Sequence, residues 1–487
     1  MMNIVTVPLA ASLLGLASAS STAQPTRLNL TGHIDPSQVM SFVYAPFQVP
    51  AGVTSLYVLQ NYSKKGAGNA LDLGCFDQRG VQLADTMNGT TGWRGWSGGF
   101  RNNFTITPAG ATPGYNPGAI QAGTWNVVLG PYESVPEGID WELQIEMGFD
   151  KMDETFSPAY AQVDMNPFCN ACQETTDYTW QRGDFHMHTV HSDGQYTPAE
   201  QMEHALSQDL SFIFLSDHNT DTSNTIAGVA QQQTAPDLLV SRAIEVTTRY
   251  GHWQAVGLGR DQNIEWRYTP DDNPGFAAAA AQVHKAGGFV SVNHPFADCP
   301  ACNWSLDWDH NDAIEVWNAI WDPTDEKAVQ KWQELLVVGR FMTAIGGSDS
   351  HSPPSLNGLP TTVVKARGRS QGAIVEGVRA ARAYIVRGPG MDLAFEVEDA
   401  SLPAPAQIGD KLSIGSAGAT VVFSATGFAG QKACFLTDEG YFYNTSIVDG
   451  SAIRRSVPSG ADFVRAEVRN AASDDMLGLT NPVWFLE

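Results

Sequence analysis

Histidines and carboxylates recur through the middle of the chain at the ends of apolar runs. Nine residues form this candidate ligand set: His186, His188, Asp193, His218, Glu245, His252, His294, Asp349 and His351. Imidazole and carboxylate groups suit zinc, manganese or iron, and the set contains no cysteine, which disfavours ions that seek thiolates. One histidine at a strand end is usually structural, but repetition at so many strand ends favours a site for divalent metal ions.

The elements that must position these residues alternate between apolar strands and alanine-rich helices. In the segment 184–188 a strand is predicted, because its alternation puts His186 and His188 on one face. Residues 197–200, Thr-Pro-Ala-Glu, have the N-cap, N1 and N3 types that begin a helix. The apolar run 212–215 is typical of a strand covered on both faces. Because the C-terminal ends of parallel strands converge on one rim of a barrel, we expect the nine side chains to meet there.

Three regions differ in pattern. Residues 25–160 contain short alternating runs broken by Gly, Pro and Asn clusters, which predicts a β-sandwich. Residues 180–390 have the α/β pattern, and residues 391–487 return to short strands, which predicts a second, β-rich domain. Four aromatic residues of the first region are candidates for a sugar-stacking surface, but a sandwich core is favoured for them: Trp93, Trp96, Tyr115 and Trp125.

The middle region contains a series of short polar motifs: His186-x-His188-x-x-x-Ser192-Asp193-Gly194, Ser216-Asp217-His218, Glu245 with His252, Asn293-His294-Pro295 and Gly347-Ser348-Asp349-Ser350-His351. This series resembles that of the polymerase and histidinol phosphatase (PHP) superfamily. The resemblance implies that the central α/β domain is a distorted (β/α)7 PHP barrel. Together with the pattern of the other two regions, this predicts a multidomain chain in which the barrel is flanked by N-terminal and C-terminal β-sandwich-like domains. The leading β-sandwich looks most like the carbaryl-hydrolase-like secreted branch.

By the same resemblance the barrel holds two or three divalent ions of zinc, manganese or iron, with Glu245 as a bridging ligand. The implied groups are His186, His188, Glu245 and Asp349 for one or two ions, Asp193, His218 and His351 for another, and Glu245, His252 and His294 for the third.

Three further residues are candidates for catalysis or substrate contact. Asp217, beside His218, is a candidate to orient an imidazole or to shuttle a proton, and the alternative is a carboxylate that caps a loop. His191 lies within the first motif, where it is expected to contact substrate. Arg249 is a candidate phosphate clamp, although a surface salt bridge is the commoner role of such an arginine.

The expected function is that of an exported metal-dependent hydrolase of phosphate mono- or diesters. Two ions lower the pKa of a shared water and stabilise charge on the substrate oxygen, so a bridging hydroxide attacks the ester. The alternative is hydrolysis of a carboxyl ester, carbamate or amide at the same site. A non-catalytic binding protein is disfavoured because no ligand position of the series is missing.

Charge and the amino terminus bear on partners and location. The 487 residues include 28 Lys and Arg against 52 Asp and Glu, a net charge of −24, which argues against a nucleic-acid polymer as partner. Residues 4–16 form an apolar run followed by Ala17-Ser18-Ala19, which predicts a signal peptide cleaved after Ala19 and a secreted or periplasmic protein. No Lys or Arg precedes the run, so a buried helix is the alternative. No membrane span is predicted, and a small anionic or ester substrate is expected.

Four of the six cysteines form two Cys-x-x-Cys pairs, Cys169 with Cys172 and Cys299 with Cys302. Disulfides, which would tie the segment before residue 180 to the loop after His294, are favoured over a zinc ribbon, whose pairs lie closer together in sequence. The spacing leaves the connectivity of the four cysteines open. A thioredoxin-like redox role is the weakest alternative, because neither pair opens a βαβ unit.

Overall fold

The computed structural model describes residues 25–83, 91–150, 163–167, 169–271, 273–299 and 301–486. The predicted signal peptide lies outside the described residues. Within them the chain is multidomain and mostly β, with few helices. None of these helices is long and apolar enough to cross a membrane.

The N-terminal region, residues 25–150, contains two four-stranded antiparallel sheets, ordered β1-β8-β3-β6 and β2-β7-β4-β5. Its strands are β1 (Thr26–Ile34), β2 (Val43–Val49), β3 (Ser55–Tyr62), β4 (Ala70–Phe76), β5 (Trp93–Gly98), β6 (Asn103–Ile106), β7 (Gly123–Glu133) and β8 (Ile139–Gly148), with a short 3₁₀ helix at Pro36–Gln38. Apolar residues alternate along β8, so one face of it is buried. Leu56 and Ile145 of one sheet share a core with Trp125 and Val127 of the other.

The central region, residues 169–386, alternates strands with five helices. Its elements are β9 (Glu174–Asp184), α1 (Pro198–Ser207), β10 (Phe212–Leu215), α2 (Thr222–Thr234), β11 (Leu239–Thr248), β12 (Gly251–Val256), α3 (Asn273–Lys285), β13 (Phe289–Val292), β14 (Ala313–Asn318), α4 (Pro323–Val337), β15 (Thr343–Gly347), β16 (Thr361–Gly368), α5 (Gln371–Arg379) and β17 (Ala383–Val386). The predicted strand at 212–215 and the capping box of α1 are confirmed.

Seven strands of this region lie side by side in the order β15-β14-β13-β12-β11-β10-β9. Neighbours are parallel except around β12, which is antiparallel to both β11 and β13. The segments that follow β9 and β15 meet, because Met187 bridges Ser350 and the amide of Asp349 donates to the carbonyl of His186 at 2.9 Å. The prediction of a strand over residues 184–188 is wrong, because β9 ends at Asp184. The Asp184 carboxylate accepts the amide of His186, so this amide is not available for pairing with a neighbouring strand.

The C-terminal region, residues 387–486, continues the central sheet. Its strands are β18 (Asp392–Glu398), β19 (Ala406–Gln407), β20 (Lys411–Leu412), β21 (Thr420–Thr426), β22 (Lys432–Thr437), β23 (Gly440–Ser446), β24 (Ile453–Ser456), β25 (Phe463–Arg469), β26 (Met476–Thr480) and β27 (Val483–Phe485). β26 pairs with β17, so hydrogen bonding runs across the predicted domain boundary at residue 391 into β25, β22 and β23. A separate sheet, β19-β18-β21-β24, packs on this extension through one core.

The cysteine pairs form disulfides, but the expected tie between distant segments is wrong. Cys169 bonds Cys172, and Cys299 bonds Cys302, so each disulfide closes its own Cys-x-x-Cys turn. The reason is local, since the Cα atoms within each pair are only 5.2 and 5.4 Å apart, inside the normal range for a disulfide.

Candidate metal centre

The structure brings all nine candidate ligands together at the ends of the central strands. Overlapping groups of three or four, whose ligand atoms lie within 4.8 Å of one another, include every one of them. They come from six strands of the sheet: from the segments after β9 and β15, from His218 and His294, which follow β10 and β13, and from Glu245 and His252, which lie in β11 and β12.

The deepest group is built on two histidines and two carboxylates. His186 Nε2 and His188 Nε2 lie 3.2 Å apart, and Asp349 Oδ1 lies 3.2 and 3.0 Å from them. The two oxygens of Glu245 face the same two nitrogens, each at 3.3 Å. Both histidines are fully buried, so these donors converge on one small volume away from solvent.

A second group lies nearer the surface and is centred on Asp193. Its Oδ1 lies 3.2 Å from His351 Nε2 and 3.5 Å from His218 Nε2. His188 Nδ1 is 3.9 Å from the same oxygen, so the His188 ring lies between this group and the deeper one.

A third group shares Glu245 with the deepest group. Its Oε1 lies 3.1 Å from His294 Nε2 and 3.4 Å from His252 Nδ1. Glu245 therefore contacts histidines of all three groups, as expected of a bridging ligand.

The donor set fits divalent ions. Among the described residues, four buried atoms of the cluster have no hydrogen-bond partner: Glu245 Oε2, Asp349 Oδ1, His252 Nδ1 and His294 Nδ1. Buried polar atoms are normally hydrogen-bonded. Ions of the zinc, manganese or iron type bind imidazole nitrogens and carboxylate oxygens through lone pairs that are not already used in hydrogen bonds.

Electrostatics hold the carboxylates ionised. Burial opposes their charge, but the surrounding imidazoles keep the pKa of Glu245 and of Asp349 well below the usual carboxyl range. Burial likewise disfavours imidazolium, yet Asp193 and Glu245 raise the pKa of His218 to about 9. For His351, Asp193 and Asp349 outweigh burial and raise the pKa to about 10. Without metal, protons therefore neutralise the negative charge that ions would otherwise balance.

Glu315, at the middle of β14, is a functional candidate that the sequence pattern did not single out. Its Oε1 lies 2.9 Å from His186 Nδ1, and its Oε2 accepts the amide of His294 at 3.0 Å and the side chain of Asn318 at 3.0 Å. It is 2% exposed. A carboxylate that accepts the Nδ1 proton of a histidine directs Nε2 towards a metal. A charged residue within the apolar run Ala-Ile-Glu-Val-Trp is the signal that could have identified it.

Asp217, one of the candidate catalytic residues near the first motif, is linked to the candidate ligand His188 through another side chain. Asp217 accepts from the amide and hydroxyl of Thr189, both at 2.8 Å, and from Ser192 Oγ, which in turn contacts His188 Nδ1 at 3.3 Å. It therefore supports His188 through Ser192.

His191 is buried where the central region meets the N-terminal region. Its Nδ1 lies 2.8 Å from Thr222 Oγ1 and accepts the amide of Gly114 at 3.4 Å. Burial lowers its pKa to about 4. The structure thus places His191 in the contact between regions, outside the residues that line the pocket described next.

A pocket of about 240 Å³ opens above Asp193, His218 and His252. The N-terminal region supplies part of its wall through Asp72, Trp96, Phe100 and Tyr132, and the central region adds Arg249 and Trp266. The Arg249 guanidinium lies 4.5 Å from the centre of the Tyr132 ring and donates to Asp72 at 2.8 Å. Its side chain is only 8% exposed, so Arg249 is a buried cation at the pocket and not a surface salt bridge.

No model of a known protein family matches the chain, and no curated protein matches it. Among solved structures, a two-domain protein from Bacteroides vulgatus, described as containing a PHP-like metal-dependent phosphoesterase, is 19% identical, with 64% of this chain and 97% of that one covered and a TM-score of 0.39. A protein from Bifidobacterium adolescentis, described as a metal-dependent phosphoesterase, is 18% identical, with 40% and 95% covered and a TM-score of 0.27. An amidohydrolase from Chromobacterium violaceum, solved with sulfate and no metal, is 16% identical, with 35% and 88% covered and a TM-score of 0.26. These likenesses are weak, so the case for a function rests on the geometry of the metal centre.

Proposed function

We propose that this protein is a metal-dependent hydrolase of the PHP type that cleaves phosphate mono- or diesters. The observation that carries the proposal is the convergence of nine imidazole and carboxylate groups around the buried Glu245 and the partly buried Asp349. Two or three divalent ions, with zinc, manganese and iron as candidates, supply an activated water and neutralise charge on the substrate when bound.

The chain's own residues hold and orient the components of this site. Glu245 spans the three groups of histidines, and Glu315 and Ser192 fix the rings of His186 and His188 from behind. Asp193 is partly exposed and lines the pocket together with His218 and His252, which makes these three the candidate ligands nearest to an entering substrate.

Arg249 favours a phosphoester substrate. Its guanidinium lines the pocket beside His218 and His252, and its Nε has no hydrogen-bond partner among the described residues. A planar guanidinium at the pocket wall, held by Asp72, is suited to a phosphate oxygen.

A second candidate is hydrolysis of a carboxyl ester, carbamate or amide. The aromatic rings of Trp96, Phe100, Tyr132 and Trp266 in the pocket wall favour an apolar substrate group, which a neutral ester carries as well as a phosphoester does.

The remaining proposals concern architecture and location. We propose that residues 180–390 form the distorted (β/α)7 barrel, which the contact between Met187 and Ser350 supports, with flanking domains at 25–160 and 391–487. Membership of the carbaryl-hydrolase-like branch and export after cleavage behind Ala19 are proposals that rest on the sequence.

The test measures metal content by mass spectrometry and turnover on matched aryl phosphate and aryl ester substrates. We expect bound transition metal, faster turnover of the phosphate, and loss of activity on chelation that is restored by metal. Glu245→Gln is expected to lower turnover by roughly 10³-fold, because divalent ions supply several kcal/mol of transition-state stabilisation. Glu376→Gln is the matched control, since Glu376 is exposed and pairs with Arg367.

Preference for the aryl ester would select the second candidate. A protein without bound metal that hydrolyses neither substrate after reconstitution would contradict both.

A further inference from the structure

The disulfide between Cys299 and Cys302 lies against the third group of the metal centre. The Cys302 sulfur and one ring nitrogen each of His252 and His294 lie within 4.8 Å of one another. Cys302 is 4% exposed, and Cys299, three residues earlier, is exposed. The disulfide thus has one end at the surface and the other beside two candidate metal ligands.

His294 has an unsatisfied nitrogen at this place. Its Nε2 contacts Glu245, while its Nδ1 is buried and has no hydrogen-bond partner among the described residues. His252 Nδ1 also lacks a hydrogen bond within the described structure. A disulfide sulfur is a poor ligand, whereas a thiolate binds zinc strongly together with imidazole.

We propose that the Cys299–Cys302 disulfide is a redox-controlled ligand, whose reduction makes Cys302 a thiolate that binds a zinc-type ion together with His252 and His294. The inference rests on the proposed metal centre and adds a ligand that the nine candidates do not include.

The direction of reduction follows from exposure. A thiolate of a dithiol reductant attacks the exposed Cys299 sulfur, the disulfide bond breaks, and its electron pair leaves on Cys302. The second thiol of the reductant then attacks its own sulfur in the mixed disulfide and releases Cys299, which takes up a proton. The reductant becomes a cyclic disulfide and has transferred two electrons, and one proton is released for the thiolate that stays on Cys302.

The experiment uses the full-length protein, stripped of metal by a chelator and reloaded with cobalt(II). Half of the sample is first reduced with a phosphine, which becomes a phosphine oxide with oxygen from water and is removed by anaerobic desalting. The readout is the thiolate-to-cobalt charge-transfer absorption in the near ultraviolet. We expect this absorption in the reduced protein and none in the oxidised protein.

Two variants that lose the same disulfide separate the role of each cysteine. Cys299→Ser is expected to show the absorption without any reductant, and Cys302→Ser is expected to show none under either condition while still binding cobalt elsewhere. The double variant Cys169→Ser, Cys172→Ser removes the other disulfide and is expected to keep the redox response.

The results separate this inference from the proposed function. Bound cobalt without charge-transfer absorption in the reduced protein, or absorption that persists in Cys302→Ser, would overturn the inference and leave the hydrolase proposal standing. Failure of every form to bind cobalt would overturn both.

Discussion

Glu315 controls the orientation of His186 although it is not one of the candidate ligands. It contacts Nδ1 of that histidine at 2.9 Å while Nε2 faces Asp349 and Glu245. The same carboxylate accepts the amide of His294, so one buried group sets the positions of two candidate ligands.

Glu315→Gln is expected to weaken metal binding by about 10- to 100-fold, the range typical of partners that orient metal-bound histidines. The amide keeps the size of the side chain but replaces one acceptor oxygen with a donor, which opposes the Nδ1 proton of His186. Titration of the metal-free protein with zinc measures the change. Glu376→Gln provides the control, and equal affinities of the two variants would show that Glu315 does not orient the ligand.

Protons and metal ions compete for the imidazoles of His218 and His351. Burial disfavours both imidazolium ions, but Asp193 and its neighbours raise the two pKa values to about 9 and about 10. At neutral pH both rings are therefore protonated in the metal-free protein, and metal binding must displace those protons.

We expect zinc binding at pH 7 to release protons, and zinc affinity to rise with pH.

The same two histidines make the stability of the metal-free protein depend on pH. A histidine whose pKa in the folded protein is raised above the unfolded value of 6.5 stabilises the fold fully below pH 6.5, and this contribution is lost as the pH rises through about 9 and 10. The melting temperature of the metal-free protein should therefore fall across that window, and His351→Gln should reduce the fall. A change at the exposed His33, His33→Gln, should leave it unaltered, and a melting temperature independent of pH would contradict the assignment.

At the scale of elements, the ends of β9 and β15 are held by one buried carboxylate. Asp184 accepts the amides of His186 at 3.0 Å, Ser348 at 3.2 Å and Gly358 at 2.7 Å. Asp349 follows β15 with a φ of 48°, a left-handed backbone conformation that is costly for a residue other than glycine. Such strain persists where surrounding contacts determine the conformation, as they do here.

Gly347→Ala tests how closely these strand ends fit. A Cβ at Gly347 would lie 2.5 Å from both Glu315 Oε1 and His186 Cβ. We expect a loss of about 1–3 kcal/mol in the free energy of unfolding, the usual cost of overpacking a core, together with weaker metal binding. Denaturant unfolding and zinc titration measure the two effects.

The control for this substitution is Gly372→Ala, at the start of α5. The nearest atom that its Cβ would meet is Glu174 Oε1 at 3.6 Å, so stability there should be unchanged or slightly increased. Full stability and full zinc affinity in Gly347→Ala would show that the strand ends can rearrange freely.

At the scale of the whole molecule, the N-terminal and central regions share a hydrophobic core beside the pocket. The ring centroid of Trp266, in the central region, lies 4.9 Å from that of Trp93 and 5.3 Å from that of Trp96. Asp72 and Arg249 form an ion pair between the regions that is also part of the pocket wall. The pocket is therefore a product of the contact between regions.

Asp72→Asn is expected to lower stability by roughly 3 kcal/mol, the low end for breaking a buried ion pair, and to raise KM more than it lowers kcat. Arg249 would lose the partner that positions it against the pocket. Thermal unfolding and steady-state kinetics with an aryl phosphate measure both effects. Glu137→Gln, which breaks an exposed pair with Lys64, should change neither, and an unaltered KM in Asp72→Asn would contradict the role of this pair.

Local pattern in the sequence determined the ligand types and the elements that carry them. The run at 212–215 is apolar throughout because it is covered on both faces, and it forms β10 as predicted. Thr197 and Glu200 begin α1 because their side chains satisfy free backbone amides at a helix start. The candidate ligands were identifiable in the same way, because most of them lie at or near one end of a short apolar run, as His218 and His294 do after β10 and β13.

The residues that support those ligands, and those that line the pocket, became identifiable from the folded chain alone. Glu315, Asp184 and Asp72 lie far from their partners in sequence, and no local period encodes a contact between residues more than a hundred positions apart. Long-range packing also placed His191 in the contact between regions instead of the pocket, and it brought Cys302 beside His252 and His294. A short-range pattern specifies a helix or strand because the residues that favour the element lie within one short segment of the chain. A site assembled from separate strands exists only once the chain has folded.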